Sequence, residues 1–76
     1  MIIELSHSKL ILTPFEIQIR MSPSGTVLSA MVEDLKLRKE VLVLSADAGA
    51  VRWSLKLDNQ QQADDLVDFI GEQILL

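Results

Sequence analysis

The side chains able to do chemistry are few. His7 is the single histidine, and it alone has an ordinary pKa near neutrality. Ser6 and Ser8 flank it, but sequence neighbours do not form a hydroxyl–imidazole relay by spacing alone. A carboxylate must also orient the ring. A solvated turn histidine is therefore expected, and an enzyme using His7 would need a distant carboxylate folded against it. The absence of cysteine removes disulfides, thiolate zinc sites and thiol nucleophiles. One histidine cannot make a multi-histidine metal site. Gly25, Gly49 and Gly71 lie too far apart for a phosphate-cradling loop. The expectation is no cofactor, no metal and no enzymatic activity.

Charge clusters remain. Glu33-Asp34 and Asp64-Asp65 are adjacent carboxylates, and neighbours on a helix point about 100° apart. Asp65 and Asp68 at i, i+3, and Asp68 and Glu72 at i, i+4, share a face. Such like-charge pairs cost a helix a few tenths of a kcal/mol each, so the stripe is either solvated or meets a cation or a basic partner. Lys36, Arg38 and Lys39 form a basic cluster, and Arg52 and Lys56 share the outer side of a strand. These five are weak polyanion candidates, because Phe15, Trp53 and Phe69 all fall on expected core faces and leave no ring to stack a base. The net charge is −4, and residues 58–76 hold five carboxylates with no Lys or Arg. Neither nucleic acid nor membrane is expected as a partner.

The elements that must position these groups follow from hydrophobic period. Val51, Trp53, Leu55 and Leu57 alternate with Arg52, Ser54 and Lys56, as in a half-buried strand. Ala63, Leu66, Val67, Ile70 and Ile74 then mark one stripe of an amphipathic helix that runs to the end. Asp58 or Asn59 can cap it. Gly71 either permits close approach to a neighbour or marks fraying beyond it. Met1–Leu5 and Lys9–Thr13 read as short strands that form either a hairpin through Ser6–Ser8 or one longer strand with a bulge there. Phe15, Ile17, Ile19 and Met21 form the core side of another strand. The turn Ser22-Pro23-Ser24-Gly25 hands the chain back alongside it, which predicts a strand over Thr26–Glu33. The rival is a helix, since Val27, Leu28, Met31, Val32 and Leu35 also fit one helical face. Leu35–Lys39 reads as a connector, and Val41–Leu44 as a central strand covered on both sides. The fold class is α+β: a mostly antiparallel sheet of four to six strands with one C-terminal amphipathic helix packed on it. The alternative order is ββαββα, with a helix near 27–38.

Two resemblances bear on this reading. Lys9-Leu10-Ile11-Leu12-Thr13-Pro14-Phe15-Glu16-Ile17 resembles the opening of bacterial pleckstrin-homology-like and GRAM-like domains. Trp53-Ser54-Leu55-Lys56-Leu57 with its capped helix resembles their close. A full domain of that kind has seven strands. This resemblance implies a ligand- or lipid-binding module with an open concave end lined by basic groups such as Lys36, Arg38 and Arg52. The whole chain also resembles a family of very short uncharacterised gamma-proteobacterial proteins, through Ile2-Ile3-Glu4-Leu5-Ser6 and Arg52–Asn59. That resemblance implies no activity and no site residue.

Seventy-six residues make one domain, and 49% of them are hydrophobic. A chain this short has little interior for so many apolar groups, so some are expected to face a partner, most simply a second copy. Contacts are expected from a sheet edge and from the helix, through Asp65, Asp68, Phe69, Glu72, Leu75 and Leu76. No targeting segment is expected, because Glu4, Lys9, Glu16 and Arg20 interrupt the early apolar residues. The expected location is the cytoplasm.

Overall fold

A computed structural model describes residues 1–76. Seven strands precede one helix: β1 (Ile2–Glu4), β2 (Ser8–Leu12), β3 (Glu16–Met21), β4 (Val27–Met31), β5 (Leu35–Arg38), β6 (Val43–Asp47), β7 (Arg52–Lys56) and α1 (Gln60–Ile70). The strands form two antiparallel sheets, β1-β2-β3-β4 and β5-β6-β7. The α+β class and the C-terminal helix are as the periodicities predict. The strands number seven rather than four to six, and they are divided between two sheets.

The contested stretch is extended. β4 pairs with β3 through Ile17↔Ala30 and Ile19↔Leu28, so the helix near 27–38 does not form. A tight turn delivers residues 26–31 directly to the open edge of β3, and ladder hydrogen bonds outweigh a weak helical preference. A short 3₁₀ turn, Val32–Asp34, then carries the chain into the second sheet.

Three expectations fail for identifiable reasons. Leu35–Arg38 is a strand, not a connector, because Leu35 and Leu37 are buried while Lys36 and Arg38 face out. The strand expected over Val41–Leu44 starts only at Val43, because Leu42 takes a positive φ of 58° to close the turn begun at Lys39. Phe15 is 73% exposed. The Thr13 hydroxyl accepts the N–H groups of Phe15 at 3.2 Å and Glu16 at 3.1 Å, which makes residues 13–16 a turn and swings the Phe15 ring outside it.

The core contains Ile3, Leu10, Leu12, Ile17, Ile19, Leu35, Leu37, Leu44, Ala46 and Leu57 from the sheets, with Ala63, Leu66 and Ile74 from the C-terminal region. Trp53 is only partly buried against it. The helix begins where Asn59 Oδ1 accepts the Gln62 N–H at 3.0 Å. Asn59→Ala should cost about 1 kcal/mol, read as a lower urea midpoint with an unchanged slope. The helix ends at Gly71, whose φ of 123° suits only glycine, and a Cβ there would strike the Gln73 side chain. Ile74 therefore reaches the core from a 3₁₀ turn, Glu72–Ile74, and not from the helical stripe.

Candidate functional site

Edges that remain open decide what this fold can hold. β5 is not open: Leu75 bridges Leu37 in parallel and the Leu76 N–H donates to the Leu37 carbonyl at 3.0 Å. Leu75, expected at a partner contact, packs instead against its own core. Leu76 is 61% exposed.

β4 is an outer strand with nothing beyond it. Hydrogen bonds from Met21 N–H to Thr26 C=O and from Val32 N–H to Phe15 C=O bracket its pairing with β3. Antiparallel ladders alternate, so Leu28 and Ala30 direct their backbone groups to β3. Val27, Ser29 and Met31 direct theirs outward. The side chains of those same three residues are exposed. Beside the end of β4, an open hollow of about 270 Å³ is lined by Pro14, Phe15, Met31, Val32, Glu33 and Gln73. The exposed Phe15 ring, the Met31 thioether and the C-terminal segment thus meet at one place.

The helix presents its acidic side to water. Asp68, Phe69 and Glu72 are exposed and Asp65 is half-exposed, accepting from Gln61 Nε2 at 2.8 Å. Lys39 is withdrawn from the basic cluster by an ion pair with Asp64, 2.8 Å from Nζ to Oδ1. This Lys39 hydrogen bond, and then that from Gln60, hold the Asp64 carboxyl below its ordinary value. The other four basic candidates converge. Register places Arg38 and Lys56 in one row across Val43, and Lys36 in the next with Ser45 and Ser54. Lys36, Arg38, Arg52 and Lys56 are all exposed on the outer side of the second sheet.

A family model covering residues 1–74 describes its members as proteins of unknown function, DUF3389. The chain belongs to the DUF3389 family. No curated protein and no solved structure matches it.

In this DUF3389 fold His7 sits at the β1–β2 turn, in a hollow of about 330 Å³ with Ser6, Ser8, Lys9, Arg20 and Ser22. Glu4 lines the same hollow and pairs with Lys9 Nζ at 3.7 Å, and the other carboxylate at this turn, Asp58, is bonded to Ser6. Asp58 Oδ2 accepts the Ser6 N–H at 2.7 Å and Oδ1 accepts the Ser6 hydroxyl at 2.9 Å. Those hydroxyl and backbone bonds hold Asp58 below its ordinary pKa of 3.8, with smaller help from Gln62 and from the charge of His7. The Asp58 carboxylate therefore fastens the β1–β2 turn to the residue preceding the helix cap.

Gln62 completes this latch and was not visible as such in the sequence. It is 8% exposed; its Oε1 accepts the Asp58 N–H at 2.7 Å and its Nε2 donates to the Glu4 carbonyl at 3.0 Å. The spacing Asn59-x-x-Gln62, a capping-box variant, is the signal that could have found it. Because the folded pKa of Asp58 lies below the unfolded one, its contribution is complete above the unfolded value. It is lost as pH falls through 3.8 toward the lowered value. Asp58→Asn should flatten that part of the stability–pH curve, measured as urea midpoints from neutral pH down into this window.

Proposed function

We propose that this chain is a non-enzymatic interaction module that forms a homodimer by joining the β4 strands of two copies. The unpaired outward backbone groups of Val27, Ser29 and Met31 carry this reading. An antiparallel pairing centred on Ser29 sets Val27 opposite Met31 of the partner subunit and Ser29 opposite its own symmetry mate. The edge is self-complementary, as a two-fold interface requires. On the other side of the ladder, half-buried Leu28 and Ala30 would cover each other's counterparts. An exposed strand with apolar flanks is a liability unless something pairs with it, and β4 carries no lysine, proline or inward charge to prevent pairing.

The pleckstrin-like alternative gains support from the seven strands and the closing helix. Its ligand end does not. The basic groups it needs stand on an open sheet face, and the hollow beside Arg52 includes neither Lys36 nor Arg38. Sedimentation velocity at micromolar protein tests the dimer: two copies are expected, and a strict monomer at tens of micromolar would reject it.

A further inference from the structure

The second open edge differs from the first in chemistry. β7 ends the other sheet. Its pairing with β6 is bracketed by Leu57 N–H to Leu42 C=O and Ala48 N–H to Val51 C=O. By the same alternation, Leu55 and Trp53 bond to β6, while Arg52, Ser54 and Lys56 direct their N–H and C=O groups outward. This edge cannot pair with its own copy as β4 can: centred on Ser54, such a pairing would set Arg52 against Lys56 of the partner subunit. Like charges directly opposite are destabilising.

We infer that the β7 edge accepts an extended acidic segment of another protein, added as an antiparallel strand. The side chains define its pattern. Residues opposite Arg52 and Lys56 carry carboxylates, and the residue between them, opposite Ser54, is small and polar. Alternate residues turn to the other face, beside partly buried Trp53 and Leu55, and are apolar. The segment reads acid-apolar-Ser/Thr-apolar-acid. Lys36 and Arg38, two strands away on the same face, extend the positive field. Asp47 is the one carboxylate on that face and lies 3.5 Å from Arg52 Nε. Both partners are exposed, so this pair exchanges readily with an incoming carboxylate. Space exists along the strand: a hollow of about 390 Å³ is lined by Ser45, Ala46, Asp47, Arg52, Trp53 and Ser54. Another, of about 300 Å³, separates Leu55–Asp58 from the β1–β2 turn.

The probe is a capped peptide with Glu-Val-Thr-Val-Glu at its centre, and its counterpart with Lys in place of Glu. Trp53, the single tryptophan, reports binding by fluorescence, and amide exchange at Arg52, Ser54 and Lys56 reports where. The acidic peptide should saturate the signal and slow exchange at those three amides, and the lysine peptide should not bind. Arg52→Glu with Lys56→Glu should weaken the acidic peptide by about tenfold or more and admit the basic one. Ser54→Pro should abolish binding and Ser54→Ala should retain it. No saturable binding of the acidic peptide by the wild type, or binding that survives both charge reversal and Ser54→Pro, would overturn the inference. A monomeric Ser29→Pro protein should still bind, which keeps this test independent of the β4 dimer.

Discussion

Ser29→Pro should convert the dimer to a monomer while leaving the fold intact. Proline removes one N–H, and at Ser29 that N–H points away from β3 and serves nothing within the protomer. Outer strands tolerate proline where the lost donor faces solvent, so the melting temperature of the monomer should barely move. In the dimer the same change acts twice at the two-fold axis. Each copy leaves a carbonyl of the partner without its donor, at about 1–3 kcal/mol apiece, and the ring obstructs close approach of the strands. Dissociation should become on the order of a hundredfold easier, enough to abolish the dimer at micromolar concentration. Ser29→Ala keeps the N–H and should keep the dimer. Val27→Lys places a solvated ammonium beside Met31 of the partner subunit and should separate the copies without touching the backbone. Phe69→Glu, on the helix, should leave the association unchanged. A Ser29→Pro protein that still sediments as two copies would remove β4 from the interface.

Local order was legible where one period dominated. Arg52–Lys56 and Glu16–Met21 alternate cleanly, and the stripe from Ala63 with a cap at Asp58 or Asn59 locates the start of α1 to within a residue, although the helix read as running to the end stops at Ile70. Short or mixed runs were not legible. Leu35–Arg38 alternates over only four residues, and its two cations give it the composition of a linker. Phe15 fits its neighbours' alternation, and only the Thr13 hydroxyl, by building a turn, removes it. The division into two sheets depends on which strand lies beside which, and period carries no such information. The same limit hid the functional surfaces. The sequence implies that some sheet edge is open, but the C-terminal Leu75–Leu76 segment closes β5 and Gln62 takes up the Glu4 carbonyl on three-residue β1, so the longer open edges are β4 and β7. The basic residues read as two scattered groups until the register of β5, β6 and β7 set four of them on one face.

Deleting residues 60–76 should unfold the protein. Small domains sit at the low end of a stability range of about 5–15 kcal/mol. The deleted segment supplies fully buried Leu66, Ala63 and Ile74 and partly buried Val67, Ile70 and Leu75. Burying one large aliphatic side chain contributes about 1.5–3 kcal/mol, so the loss from Leu66 and Ile74 alone approaches the whole margin. The deletion also strips Gln62 from the Glu4 carbonyl and the Asp58 N–H, which frees the β1–β2 turn, and it uncovers the β5 edge. Two milder changes separate these contributions. Leu66→Ala keeps the backbone and the latch but opens a cavity, at about 2–5 kcal/mol, and should lower the urea midpoint sharply while the native state persists. Removing only Leu75 and Leu76 leaves α1 and Ile74 in place and exposes Leu37 at a now unpaired edge, so the fold should survive with a greater tendency to associate through β5. Loss of cooperative unfolding in the long deletion, with retention in the other two, is the expected order. A soluble, cooperatively folded chain ending at Asn59 would mean that the two sheets close their core without the helix.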